Sequence, residues 1–234
     1  MITVGLDLAA MPERTALASI EWTTDRAVVR DVICPAGDDV ILQNVEQADK
    51  TGIDCPLGWP GAFVNFVAAH HVGNVSIPED STGVAWRREL AMRRTDAFVR
   101  DKVHLVPLSV SADRIAHVAF RCAVLLTKLD AAGHPVDRSG SGPVVEVYPA
   151  ASLRFWGLDQ QGYKRPASPE RLGGLLDKLL ATVPWLDCKS HEDAIRHSHH
   201  LFDAVIAAMT ARAVLQGQTS RPGEADLDAA RTEG

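Results

Sequence analysis

The chain has 234 residues, 46% apolar and 23% charged, with a formal net charge of −6, a size that supports one globular domain with insertions. The acidic balance argues against a protein that coats nucleic acid nonspecifically, while leaving room for a local basic groove. No stretch approaches the roughly 20 uninterrupted apolar residues of a bilayer span, and "MITVGLDLAAMPE" has no basic leader or cleavage site, so no membrane association and a cytoplasmic location are expected.

In chain order, "ITVGLDLA" is a near-continuous apolar run of strand length, and "TALASIEW" and "AVVRDVI" follow it across the polar turn "TTDR". These three read as an antiparallel meander. "DDVILQNVEQA" suits a short helix crossing to a fourth strand, "KTGID", and "GAFVNFVAAHHVG" then reads as a helix stopped by Gly73. Residues 74–142 form a helical insertion. Within it "AWRRELAMRRTDAFVRDK" reads as one arginine-rich helix and "SADRIAHVAFRCAVLLTKLDAAG" as a long apolar helix, with Ser111 as N-cap and Gly133 as its stop.

"GPVVEVYPA" returns to a short, β-branched fifth strand closed by proline. "SPERLGGLLDKLLATV" places Leu172, Leu175, Leu176 and Leu179 on one helical face behind a Ser168 cap, and "HEDAIRHSHHLFDAVIAAMTARAVLQG" is a further strongly helical stretch. "QTSRPGEADLDAARTEG" shows no convincing core face. Cys34, Cys55, Cys122 and Cys188 are far apart without a C-x-x-C pair, which favours reduced, buried thiols over a zinc knuckle or a disulfide framework. The expected fold is α/β: a mixed five-stranded sheet, a three-stranded antiparallel meander plus parallel strands, flanked by helices. Parallel strands need helical crossovers, and this order is that of the RNase H-like fold. Order alone licenses no function.

The acids carry the chemistry. Period-two alternation puts Thr3, Gly5 and Asp7 on one face of the first strand, and Gly52 with Asp54 on one face of the fourth. Glu146 lies in an otherwise apolar strand, where an unpaired carboxylate costs several kcal/mol, so it requires a cation or an arginine. On the closing helix His199, His200 and Asp203 stand at i−4, i−3 and i, so the aspartate and at least one histidine share a face. Taken singly, each has a plainer explanation: a turn cap for the aspartates, an arginine partner for Glu146, a solvated helix start for the histidines. Their joint placement at the ends of the first and fourth strands and on the closing helix brings three acids together.

The segments "GLDLA", "GIDCPLGWP", "RRTD", "VEVYPA" and "FDAVIAAMTAR" resemble those of a group of predicted nucleases with an RNase H-like fold, domain of unknown function family 429. The resemblance covers nearly the whole chain. Members continue briefly past a final Glu-Gly pair, so a further terminal strand is implied beyond Glu233 and Gly234. RNase H-like nucleases hold two divalent ions with carboxylates from the first strand, the fourth strand and the last helix. By position these are Asp7, Asp54 and Asp203, with Glu146 or His200 as a further contributor. Carboxylates suit Mg²⁺, and an imidazole at position 200 tilts preference toward Mn²⁺. The resemblance implies phosphodiester hydrolysis by two ions roughly 3.5–4 Å apart, with no nucleophilic side chain.

The implied partner is a nucleic acid of unspecified type, and a homodimer is expected if the activity is junction resolution. For substrate contacts, Arg87, Arg88, Arg93, Arg94 and Arg100 cluster with Trp86 and Phe98, a mixture suited to clamping phosphates and stacking a base. Arg93, Arg94 and Asp96 of "RRTD" are singled out by the resemblance, and an arginine there is also the candidate partner for Glu146. Lys164 and Arg165 are a second candidate phosphate contact. Two other classes remain open: a noncatalytic binding module that kept the fold, and an actin-like nucleotide phosphotransferase. The latter generally needs two copies of the fold and a glycine-rich turn, whereas "DLAAMPERTA" contains no glycine.

Overall fold

The computed structural model of the chain describes residues 1–234 apart from 77, 81, 159–160 and 165–168. Ser168, expected as a helix cap, and Arg165, a candidate phosphate contact, lie outside the described residues.

Strands β1 (Ile2–Asp7), β2 (Ala16–Trp22) and β3 (Ala27–Ile33) form the expected antiparallel meander. Helix α1 (Asp38–Glu46) crosses to β4 (Lys50–Asp54), which pairs parallel with β1. After α2 (Gly61–His71), α3 (Ala85–Ala91), α4 (Arg94–Val103) and α5 (Ala116–Ala131), β5 (Val144–Glu146) pairs parallel with β4. Then follow α6 (Pro149–Phe155), α7 (Pro169–Thr182), β6 (Leu186–Asp187), α8 (Glu192–His197), α9 (His199–Leu215) and α10 (Leu227–Glu233).

The sheet therefore has six strands among the described residues, in the order β5-β4-β1-β2-β3-β6, and the five-strand expectation is corrected. The sixth strand is only two residues long and pairs parallel with the start of β3. Nothing so short carries a period-two pattern.

Alternation divides the core between the two faces of the sheet. Ala16, Ala18, Ile20 and Trp22 pack with α7 and α9. Val4, Leu6, Leu17 and Ile53 pack on the other side with Ile41 and Val45 of α1 and with Cys122, Leu125 and Leu129 of α5. The 74–142 segment thus supplies one layer of the core through α5. Gly73 and Gly133 adopt positive φ just past α2 and α5, as their placement in the sequence implies.

Three helical expectations change. The arginine-rich stretch is two helices, because Met92 and Arg93 are extended and α4 starts with the Asp96 carboxylate accepting from the Arg93 backbone N–H at 2.9 Å. Ser111 does not cap α5, whose N-cap is Ile115; its hydroxyl donates to the Leu90 carbonyl at 2.6 Å. The long closing stretch breaks at extended Ser198, whose hydroxyl oxygen caps α9 by accepting from the Leu201 N–H.

The C-terminal segment docks through polar contacts rather than an apolar stripe. Glu233 accepts hydrogen bonds from the Gly61 N–H at 2.8 Å and the Arg94 N–H at 3.1 Å, meeting the free amides at the starts of α2 and α4 with one carboxylate.

Candidate metal centre

The site begins with two glycines. Gly5 and Gly52 are in register across the β1–β4 pairing, two pairs before the last that links the two strands. A Cβ on Gly5 would lie 2.0 Å from the Ala204 carbonyl oxygen, and one on Gly52 would lie 2.4 Å from that of Ala207. The backbone of α9 therefore rests directly on the backbone of the sheet. Ala204, Ala207, Ala208 and Ala211 keep the helix surface small enough for that approach, and all are fully buried.

This close contact sets the third acid. Asp203 precedes Ala207 by one helical turn, and Asp7 and Asp54 are paired two residues beyond the glycines. One carboxylate oxygen from each of Asp7, Asp54 and Asp203 lies within 4.8 Å of the others. Asp203 is fully buried, whereas Asp7 and Asp54 are partly open.

Cationic and hydroxyl groups meet the charge. The Lys164 ammonium lies 2.6 Å from Asp203 Oδ2 and 3.9 Å from Asp54 Oδ2. The buried Tyr163 hydroxyl donates to Asp203 Oδ1 at 2.6 Å, and its ring meets Phe202 edge-on. His200 Nδ1 is 2.5 Å from Asp7 Oδ2. Burial pushes the Asp54 carboxyl well above the usual range; Lys164 opposes the shift, while Asp203, Asp7 and Glu146 add to it. Asp203 moves the same way for the same first cause, against the opposing pull of Lys164. Burial works against the Lys164 ammonium, yet Asp203 and Asp54 outweigh it and hold its pKa above the ordinary lysine value. The Tyr163 hydroxyl is pushed far up by burial and by Asp203. The acids thus favour a proton or a cation at their oxygens.

The structure thus brings Asp7, Asp54 and Asp203 together, with His200 against Asp7. Glu146 stands apart from them. It is in register with Ile53, so it shares that residue's face of the sheet rather than the face of Asp54. There Arg93 grips it with two bonds, Nη1 to Oε2 at 2.6 Å and Nη2 to Oε1 at 2.7 Å, and the Leu57 N–H donates to Oε2. Arg93 also holds Asp96 through Nε and Nη2. Arg93 and Asp96 are 3% and 2% exposed, so both are committed to this ion network rather than open to solvent. Glu146 and Asp96 together outweigh burial and raise the Arg93 pKa. The Arg94 side chain is 74% exposed and approaches Asp226 at 3.9 Å. Of the other arginines, Arg100 pairs with Asp101, and Arg87 lies over the Trp86 ring.

A cavity of about 1000 Å³ opens above the acids, with Asp7, Asp54 and Lys164 at its floor and Phe98, Arg114 and Phe155 among its walls. Tyr163 escaped the sequence reading, and Lys164 entered it only as a phosphate contact. Both sit in a loop, where neither alternation nor helical spacing gives a side chain its direction. Among the described residues, no other group of His, Cys, Asp and Glu side chains meets the geometry of a metal site.

The fold and site define an α/β protein whose carboxylate cluster is assembled from two parallel strands and a helix laid against their glycines. A family model described as Protein of unknown function (DUF429) matches residues 5–227, and the chain belongs to that family. No curated protein and no solved structure gives a significant match. No helix is long and apolar enough to cross a membrane among the described residues.

Proposed function

We propose that the protein is a divalent-metal-dependent hydrolase of phosphodiester bonds in nucleic acid, built on an RNase H-like fold. The observation that carries this reading is the convergence of Asp7, Asp54 and Asp203, one oxygen each within 4.8 Å, with Asp7 and Asp54 lining a large open cavity. The donor set fits a hard cation. Three carboxylate oxygens are the ligands that Mg²⁺ and Mn²⁺ prefer, and the acids already draw an ammonium and a phenol into contact.

Asp7, Asp54 and Asp203 hold the ion or ions, which supply charge stabilisation at the reacting phosphorus and a lowered pKa for water. His200 orients Asp7 through the bond to Oδ2, and Tyr163 orients Asp203 through Oδ1. Glu146, Arg93 and Asp96 act as a brace that ties the end of β5 to the start of α4. Arg114, Phe98 and Phe155 on the cavity wall offer one cationic and two aromatic contacts to a nucleic acid strand.

The test is incubation of the purified protein with Mn²⁺ or Mg²⁺ and a panel of single-stranded, duplex and branched DNA and RNA. Metal-dependent cleavage that disappears in a folded Asp7→Asn variant supports the reading. Cleavage that survives the substitution, or no cleavage of any member of the panel, contradicts it.

A further inference from the structure

The loop between α6 and α7 delivers two side chains to the acids, and they are held very differently. Tyr163 is buried, packed edge-on against Phe202 and bonded to Asp203. Lys164 comes to the same carboxylate from the solvent side, and its side chain is 44% exposed. The tyrosine is fixed by its surroundings. The lysine is held by charge at its tip, with a four-carbon stem free to turn.

We propose that Lys164 is the exchangeable cation of this centre: its ammonium holds the acids together in the metal-free protein and swings out when a divalent ion takes their oxygens. The inference rests on the metal-site reading above. The ammonium stands where an incoming cation must arrive, 2.6 Å from Asp203 and 3.9 Å from Asp54. Asp203 is fully buried, so its charge needs a partner whenever the ion is absent. A divalent ion brings twice the charge of an ammonium to three carboxylates, which drives the exchange. Leaving requires rotation about side-chain bonds alone, because the exposed stem already borders water. Gly162, Tyr163 and Lys164 all line the cavity, so departure of the lysine also bares the carboxylates to whatever occupies it.

Two measurements on the full chain test this together. Calorimetric titration with Mn²⁺ compares wild type, Lys164→Met, Lys164→Arg and Asp7→Asn, and removal of the competing charge should tighten binding about tenfold in Lys164→Met. Lys164→Arg, which keeps the charge, should stay near wild type. In parallel, acetylation of wild type by acetic anhydride, read by mass spectrometry, should modify Lys164 faster with Mn²⁺ present, while Lys102 and Lys189 keep their rates. The second measurement stands even if Lys164→Met does not fold. Saturable binding that Asp7→Asn removes, with unchanged or weaker affinity in Lys164→Met and unchanged acetylation of Lys164, overturns the lysine exchange and leaves the metal reading intact. No saturable binding by wild type overturns both.

Discussion

Asp7 and Asp54 are in-register neighbours across the parallel pairing of β1 with β4, and each is the last residue of its strand. Two carboxyl groups are thereby placed side by side at the ends of two interior strands, and the helix resting on Gly5 and Gly52 adds a third. Such an arrangement raises the energy of the fold unless a proton or a cation meets the carboxylates.

The glycine contact is the first point to test. Gly5→Ala would put a methyl 2.0 Å from the Ala204 carbonyl oxygen and 2.3 Å from the Ala208 amide nitrogen. Backbone on both sides leaves no flexible atom to yield. The expected outcome is a loss of at least about 3 kcal/mol in a urea titration, or no folding. A change below about 1 kcal/mol would contradict the close packing of α9 on β1.

The Arg93 brace gives a second test. Arg93→Lys keeps the charge and loses the fork that meets Glu146 and Asp96 simultaneously. Both acids are largely buried, so the expected cost is about 3 kcal/mol by chemical denaturation. Stability equal to wild type would show that the network contributes nothing beyond a point charge.

Much of this was legible in the sequence because alternation is a strict rule. Asp7 and Asp54 each follow a glycine two residues earlier on the same face, and Asp203 lies on a helix that could be recognised from its apolar spacing. The same rule, taken one step further, separates Glu146 from them. Its register with Ile53 decides its face, but register between parallel strands is set by the crossover and cannot be read from either strand. The break at Met92 and Arg93 leaves no signal in a stretch that reads as one arginine-rich helix, because what buries Arg93 there is the pairing with Glu146, distant in sequence, and with Asp96. β6 is too short for any pattern, and the direction of Lys164 belongs to a loop.

A third prediction concerns acid stability away from the centre. Asp38, at the start of α1, pairs with Lys128 and Arg121 of α5, each at 2.8 Å, and so ties α1 to α5. The bond from Lys128, with Arg121 adding to it, lowers the Asp38 pKa from its usual 3.8 despite partial burial. A depressed folded-state pKa means the stabilisation is present above the unfolded value and is lost as pH falls through the folded value. Asp38→Asn should therefore cost about 1 kcal/mol at pH 7, with the two stability curves converging as pH falls below the usual carboxylate range. Parallel curves across that range would rule out the ionised pair as the source.

The most direct measurement is calorimetric titration of metal-free protein with Mn²⁺ and Mg²⁺, comparing wild type with Asp7→Asn, Asp54→Asn and Asp203→Asn. Saturable binding by wild type that is lost in all three folded variants is the predicted result. Absence of binding by wild type, or equal binding in the variants, would contradict a metal centre at these carboxylates.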